Sequence, residues 1–429
     1  MNLRKIAVNF ILMLGTIFLC LLIGELLFPY VLTKIPIKLQ GYVDRELLTL
    51  AQSSKKSIVP NNYIAIVGDS YAAGVGEWLE HEIKTNPYSN PDFASGHILH
   101  QELGEDVVSF GSSGVGSILG LVFLPIVNLK SVNSYLAFNM DKPRQILVYF
   151  FAGNDIENNI KELDRFYKSK YDLNRVYEEN YFQNFLKNEI AENNSFNKKE
   201  TIFKNLIFSK FLGRGLINLI AKLWAEENLY EKKWKTLTEK QKLYQLNSKT
   251  DRLIHPNDLI NIALVDNKKW VFNNRNAGVH EKLSAEKIHL GAYVFEQSLL
   301  FMHKYFEESD ISIIYIPSTL SSYRLLTLEE NGLKKYKGIR KDYDLRLHLI
   351  RQKSKFICKQ IERIAKKNKL GFLDAGKYIR RKTKTEILHG SIDQDHFNKK
   401  GYTVLSEAII ETFFSNDKQA DNGRCEHAF

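Results

Sequence analysis

The chain has 429 residues, 44% of them hydrophobic, enough for one large core or two ordinary ones. Its net charge of +11 suits anionic partners such as membrane surfaces or acidic polymers. Nucleic acid is set aside as a partner, because the basic residues are spread along the chain and no nucleic-acid-binding motif occurs. The three cysteines, Cys20, Cys358 and Cys425, are too few and too scattered for a disulfide framework or a zinc site, so Cys358 and Cys425 are expected to stay unpaired.

Arg4 and Lys5 precede an uncharged stretch from Ile6 to Gly24, and after Glu25 the apolar run continues through Leu26–Leu32. Nineteen helical residues span roughly 28 Å, close to the hydrocarbon thickness of a bilayer. The leading positive charge places the N-terminus in the cytoplasm and the bulk of the chain outside. The apolar core is too long for a signal peptide and lacks an A-x-A-like cleavage site, so residues 1–34 read as an uncleaved, single-pass anchor. Residues 35–61, mixed and polar, read as a tether.

The next elements are short and strand-like. "NYIAIVG" (62–68), "DVVSFG" (106–111) and "QILVYFFAG" (145–153) are apolar runs ending in Gly, buried strands by length and β-branching. Residues 156–282 are rich in Asn, Lys, Glu and Tyr and show no clear strand, so they read as an inserted, mainly helical subdomain. Trp224, Trp234 and Trp270 are expected to pack that insertion's own core in preference to stacking on sugar rings. "LSAEKIHLGAYVFEQSLLFMHKYFEE" (283–308) has helical apolar spacing and leads into a fourth strand, "ISIIYIPS" (311–318). A helix over 345–369 puts Leu349, Phe356, Ile357, Ile361 and Ile364 on one stripe, with its Lys and Arg residues on a solvated face. A weaker fifth strand, "LGFLDAG" (370–376), follows, and residues 416–429 read as a disordered tail. Short strands alternating with helices predict a parallel, doubly wound sheet built from 62–155 and 283–415.

In such sheets ligands bind beyond the carboxyl ends of the strands. Those ends carry Gly68-Asp69-Ser70, then "GSSGVGS" with Gly111, Gly114 and Gly116, then "AGND" with Gly153, Asn154 and Asp155. After the fifth strand comes "SIDQDHFNKKGY", in which Asp393 stands three residues before His396. A serine hydroxyl attacks a carbonyl only when a neighbouring base takes its proton, and His396 is that base if a carboxylate holds its other ring nitrogen. Asp393 can fold back within one turn to do so, whereas the adjacent Asp395 should point elsewhere. His389 is a rival base without a carboxylate at a suitable spacing. A developing oxyanion needs preorganised donors, for which the N–H groups of Ser70 and Gly114 and the Asn154 amide are the natural three. Glycine at 114 is expected to permit close backbone approach. "GSSGVGS" is not a phosphate loop, since G-x-G-x-x-G is absent and no Walker lysine follows.

In joint occurrence and order, these blocks resemble the SGNH (GDSL-type) hydrolase superfamily, with G-D-S, a glycine after the second strand, G-x-N-D and D-x-x-H. The resemblance implies Ser70 as nucleophile, Ser70, Gly114 and Asn154 as oxyanion donors, and Asp393 with His396 completing a triad. It implies a flavodoxin-like three-layer α/β/α domain with a five-stranded parallel sheet, and neither cofactor nor metal. It covers about 62–155 and 284–412. The usual leucine after G-D-S is Tyr71, and the first glycine of the third block is Ala152. The anchor and "FFAGNDIENN" resemble bacterial envelope members. These imply an esterase or O-acetyltransferase on an exported or cell-envelope polysaccharide, on the outer side of the cytoplasmic membrane, with a membrane acyltransferase as a partner the sequence leaves open. A lipase- or thioesterase-like enzyme and a non-catalytic glycan-binding assembly protein are the alternatives.

Overall fold

The computed structural model describes residues 3–77, 79, 90, 94–191, 205–224, 261–272, 283–326, 337–390, 393–415 and 424–425. Its centre is a five-stranded, all-parallel sheet of β1 (Ile64–Val67), β2 (Val107–Ser109), β3 (Gln145–Phe151), β6 (Asp310–Ile316) and β7 (Gly371–Asp374). The spatial order is β2-β1-β3-β6-β7. All five apolar runs predicted as strands are present, and the register of β3 against β6 runs unbroken from Gln145–Asp310 to Phe151–Ile316.

Alternate side chains of each strand face opposite ways, and both faces are covered. On one face Ala65, Val67, Ile146, Val148, Phe150 and Ile313 join a large core. The helices covering it are α3 (Leu124–Asn133, entered through a π-helical stretch Ile118–Phe123), α4 (Asp155–Glu162), α7 (Ala285–Tyr305) and α8 (Lys337–Lys367). On the other face Ile64, Ile66, Leu147, Tyr149, Ile314 and Leu373 pack on α2 (Ser95–Leu103), α9 (Gly376–Lys382) and α10 (Lys399–Phe413). Of the stripe predicted on α8, Ile357, Ile361 and Ile364 lie in the first core and Phe356 packs against it, whereas Leu349 does not join it.

The N-terminal helix α1 (Leu3–Leu27) is long and apolar enough to cross a membrane, and its apolar window is unburied. Two further helices, α5 (Glu179–Phe185) and α6 (Ile207–Trp224), follow α4 in the chain.

Three expectations fail here. Residues 35–61 are not a tether: Val43, Leu47, Leu50 and Ala51 are buried in the main core. Their polar neighbours seal the β2 edge of the sheet. Gln52 both donates to the Ser109 carbonyl (2.6 Å) and accepts from its N–H (2.8 Å), Ser54 Oγ donates to Val107 O (2.7 Å), and Val107 N donates to Ser54 O (2.9 Å). An exposed edge would otherwise offer unpaired backbone groups.

The second failure lies in the 156–282 region, which contains an antiparallel hairpin, β4 (Asn261–Val265) and β5 (Lys268–Phe272). Asp266 and Asn267 both adopt positive φ (50° and 59°), the two-residue turn that matches strand twist. The hairpin pairs onward through Leu264 N to Arg324 O and Leu326 N to Ile262 O, and it packs Ala263, Val265, Phe272 and Trp270 with Leu320, Tyr323 and Ile350. Trp270 thus packs, as expected, but on a cluster shared with Leu320, Tyr323 and Ile350 and not on a core of the insertion's own; the Trp224 and Trp234 side chains lie outside what is described.

The third concerns the cysteines. Cys358 on α8 and Cys425 form a disulfide, and both sulfurs' residues are buried in the main core. A spacing of 67 residues carried no signal of this. The remainder of the expected tail lies outside the described residues. Cys358→Ser is expected to cost about 2–4 kcal/mol of stability, because it frees a long loop in the unfolded chain. Reductant should lower the melting temperature of the wild type and leave that of the variant unmoved; equal melting of both proteins without reductant would show the bond to be energetically idle.

Candidate functional site

β1 delivers the chain into a buried turn. Gly68 has φ 137°, and a Cβ there would stand 2.5 Å from the Tyr149 carbonyl oxygen, so only glycine fits beside β3. The turn then closes on itself, with Ala73 N donating to Asp69 O, Val75 N to Ser70 O and Tyr71 N to Asp69 Oδ1 (2.9 Å). Gly111 of the neighbouring loop packs on this turn so tightly that a Cβ would lie 2.6 Å from Ala72 Cβ. The small residues after Ser70 are therefore explained by the contact between two strand-end loops.

Ser70 is buried, and its Oγ lies 2.8 Å from His396 Nε2; His396 Nδ1 lies 2.7 Å from Asp393 Oδ2. The three residues form one hydrogen-bonded chain, and Asp393, not Asp395, holds the imidazole. Ser70 Oγ is also 3.2 Å from Asp69 Oδ2. A hydroxyl has one proton to give, and the bond to His396 is the shorter. Burial lowers the imidazole's affinity for its proton. The hydrogen bond and charge of Asp393, with Asp69 and Asp395 behind it, outweigh that and raise the His396 pKa above its ordinary value. Burial also pushes the Asp69 carboxyl up, against the bonds it receives from Tyr71 and Ser70.

The His396 loop is fastened to the Ser70 turn by groups the sequence did not single out. Tyr71 Oη donates to Asp395 O (2.7 Å), and its ring packs edge-on against Phe397 (5.0 Å) and beside His396 (5.6 Å). Asp393 N donates to Glu77 Oε2 (3.2 Å), Thr319 Oγ1 to Gln394 O (2.9 Å) and Tyr402 Oη to Val75 O (2.7 Å). Tyrosine at 71, where the resemblance implies leucine, is therefore a latch between the two loops.

His389 is no rival base. The Tyr323 hydroxyl accepts from Leu388 N and His389 N and so gives its own proton to His389 Nδ1 (2.9 Å), which leaves the proton of that ring on a buried Nε2 that has no partner among the described residues. Burial, then the nearby His396, pull its pKa down to about 3.

Gly114 and Asn154 lie on the two neighbouring strand-end loops and make no direct hydrogen bond to the Ser70–His396–Asp393 chain. Ser112 N reaches Gly68 O (3.4 Å), which draws the Gly114 loop alongside the Ser70 turn. Gly114 has φ 72° and open space where a Cβ would stand, so glycine is required by conformation and not, as expected, by close approach. Asn154 precedes α4 at the position where an Asn side chain ordinarily caps the helix, yet it makes no capping bond, and its Oδ1 is buried without a partner among the described residues.

The residues after Asn154 hold the Gly114 loop from beneath, a role with a faint sequence signal in the polar run "DIENNIKE" on an otherwise core-facing helix. Glu162 accepts from the N–H groups of Gly116 (2.6 Å), Ile118 (2.9 Å) and Leu119 (3.3 Å). Asn159 Oδ1 accepts from Ser117 N (2.6 Å), and Asn158 Nδ2 donates to Val115 O (3.3 Å). These bonds satisfy donors that the start of the Ile118–Phe123 helix cannot satisfy itself. Asp155 Oδ2 accepts from Phe151 N (2.8 Å), and burial together with the Asp69 charge pushes its carboxyl well above the usual carboxylate range. Among the described residues no cluster of His, Cys, Asp and Glu is arranged to hold a metal ion.

No protein-family model matches the chain, and neither a curated protein nor a solved structure matches it significantly.

Glu162→Gln would set an NH2 group against backbone donors that now share two carboxylate oxygens. Thermal or denaturant unfolding is expected to show a loss of about 1–3 kcal/mol, the usual cost of leaving buried donors unsatisfied. Wild-type stability in that variant would mean that the loop is held by its backbone alone.

Proposed function

We propose that the chain is a membrane-anchored member of the SGNH (GDSL-type) superfamily, a serine-dependent acyl-ester hydrolase or O-acyl(acetyl)transferase acting on a cell-envelope or exported polysaccharide. The observation that carries this reading is the continuous Ser70–His396–Asp393 hydrogen-bonded chain at the carboxyl ends of the parallel strands. Its support is the strand order, which has the 2-1-3-4-5 pattern of flavodoxin-like sheets, whose ligands bind at that edge.

In the proposed cycle His396 Nε2 takes the Ser70 proton as Oγ attacks the ester carbonyl carbon. The oxyanion so formed is held by the Ser70 and Gly114 N–H groups and the Asn154 amide. The tetrahedral species collapses as His396 returns the proton to the leaving alcohol, which leaves an acyl-serine. Water, or a sugar hydroxyl, then gives its proton to His396 and takes the acyl group by the same steps in reverse. Asp393 keeps the imidazole in one tautomer and stabilises its cationic form.

The bacterial, extracytoplasmic setting rests on two supports besides the apolar α1. Arg4 and Lys5 precede the span and favour the cytoplasmic side. The Cys358–Cys425 disulfide favours an oxidising compartment for the domain.

The deciding experiment is labelling of the full-length protein in detergent with a serine-directed fluorophosphonate. Wild type is expected to label and Ser70→Ala to stay unlabelled; equal labelling would remove Ser70 from the mechanism. Incubation with an acetyl donor and a glycan acceptor then separates acetate release from acetyl transfer. Asp393→Asn should keep the fold while lowering kcat about 10⁴-fold, as the same change does in serine proteases; full activity would mean that another carboxylate orients the base.

The pH profile is a separate check. His396 must be neutral to accept the serine proton, and its pKa is raised. Activity should therefore rise with pH through a limb in kcat/KM lying above about 6.5, the ordinary histidine value. A limb well below that value would show that His396 is not the group being titrated.

A further inference from the structure

Among the described side chains of helix α6, three apolar ones are exposed: Leu212, Leu216 and Ile217, at 45%, 59% and 67%. Leu212 and Leu216 lie one turn apart on a single line of the helix. Leu136, 89% exposed, sits at the beginning of the same helix, because its N–H donates to Asn205 Oδ1 (3.1 Å) just before α6 starts. The opposite side of α6 is engaged with protein. Phe208 and Phe211 pack at a tilt on Phe28 (ring centroids 5.5 and 4.9 Å apart), and Lys210 and Arg214 both pair with Asp44.

What fixes the place of this face is the way α6 joins α1. Glu25 Oε2 and Oε1 accept from Phe208 N (2.9 Å) and Ser209 N (2.8 Å), so a carboxylate near the end of the apolar span caps the start of α6. Gly24 has no room for a Cβ against the Phe208 ring. α6 is thereby bolted to the last turn of α1, whose Leu26 and Leu27 are also exposed.

We propose that α6 is a second lipid-contacting element, lying at the outer surface of the bilayer that α1 crosses, with Leu212, Leu216 and Ile217 in the headgroup–acyl boundary and Leu136 beside them. The occupant is lipid because α6 is fastened at the end of the exposed apolar span by Glu25 and Gly24. An amphipathic helix in that position sinks its apolar face roughly 5–10 Å into the boundary. The inference rests on α1 spanning a membrane and is independent of the hydrolase chemistry.

The test uses full-length protein in liposomes of phosphatidylcholine and phosphatidylglycerol, on a Cys20→Ser background with the disulfide intact. Single variants Leu216→Cys, Ile217→Cys, Ile11→Cys and Leu173→Cys carry a polarity-sensitive fluorophore. Labels at 216 and 217 are expected to emit as in an apolar medium and to be quenched more by lipids with a nitroxide near the headgroup than by those with one at the chain end. The label at 11 should show the reverse preference, and that at 173 should stay unquenched. Unquenched, water-like emission at 216 and 217 with a quenched label at 11 would overturn the proposal while leaving the anchor in place. A water-like label at 11 as well would overturn both. Burial at 216 and 217 that appears only as protein density in the vesicle rises would overturn it too, assigning the face to a second copy of the chain.

Discussion

The 2.8 Å bond between Ser70 Oγ and His396 Nε2 joins residues 326 positions apart. Nothing local could make that bond; it depends on a parallel sheet that returns every strand's carboxyl end to one edge. The final registration comes from Tyr71, which is buried under its own strand turn and reaches across to the Asp395 carbonyl, and from Tyr402, which reaches back to the Val75 carbonyl. Both hydroxyls bond backbone atoms, so they fix loop position without consuming a side chain that the site could use.

A second layer of positioning runs beneath the Gly114 loop. A helix whose inward face carries Asn158, Asn159 and Glu162 looks ill-suited to a core, since buried polar groups cost free energy unless they are bonded. Each of these is bonded, and their partners are the N–H and C=O groups of residues 115–119. Asn159 also ties α4 to the Gly291 carbonyl on α7 (2.8 Å), at a point where glycine lets the two helices touch. The loop therefore hangs from the same helix that Asn154 begins. Two strand-end loops become one unit, and movement of either would disturb three or more buried hydrogen bonds.

Much of this was legible in the sequence. Strands buried on both faces read as continuous apolar runs, which is why all five were found, and a D-x-x-H on one turn states its own geometry. What the sequence hid follows from long-range satisfaction of polar groups. Gln52, Ser54 and Lys55 look like solvated linker residues, yet they bond Ser109, Val107 and the Leu50 and Ile58 carbonyls. The hairpin turn Asp266-Asn267 sits between lysines and asparagines that mask a two-residue period, and its apolar partners come from residues 320–350. Nothing local marks Tyr71 as a latch, because its hydroxyl's partner, the Asp395 carbonyl, lies at the far end of the chain. Composition shows which groups are polar; it does not show which polar groups a distant backbone will need.

The membrane-capable helix α1 and the sheet domain are joined by packed structure. A flexible 27-residue tether would have let the domain sample a wide volume above the bilayer, since flexible chains reach roughly 5–6 Å times the square root of their length. Instead residues 28–51 fold directly into the main core through Phe28, Leu32, Ile35, Val43, Leu47 and Leu50. Glu25 and Gly24 at the end of α1 are held by α6, and α6 is held to Asp44 by Lys210 and Arg214. The strand-end edge bearing Ser70 is therefore joined to α1 through packed core and hydrogen-bonded residues.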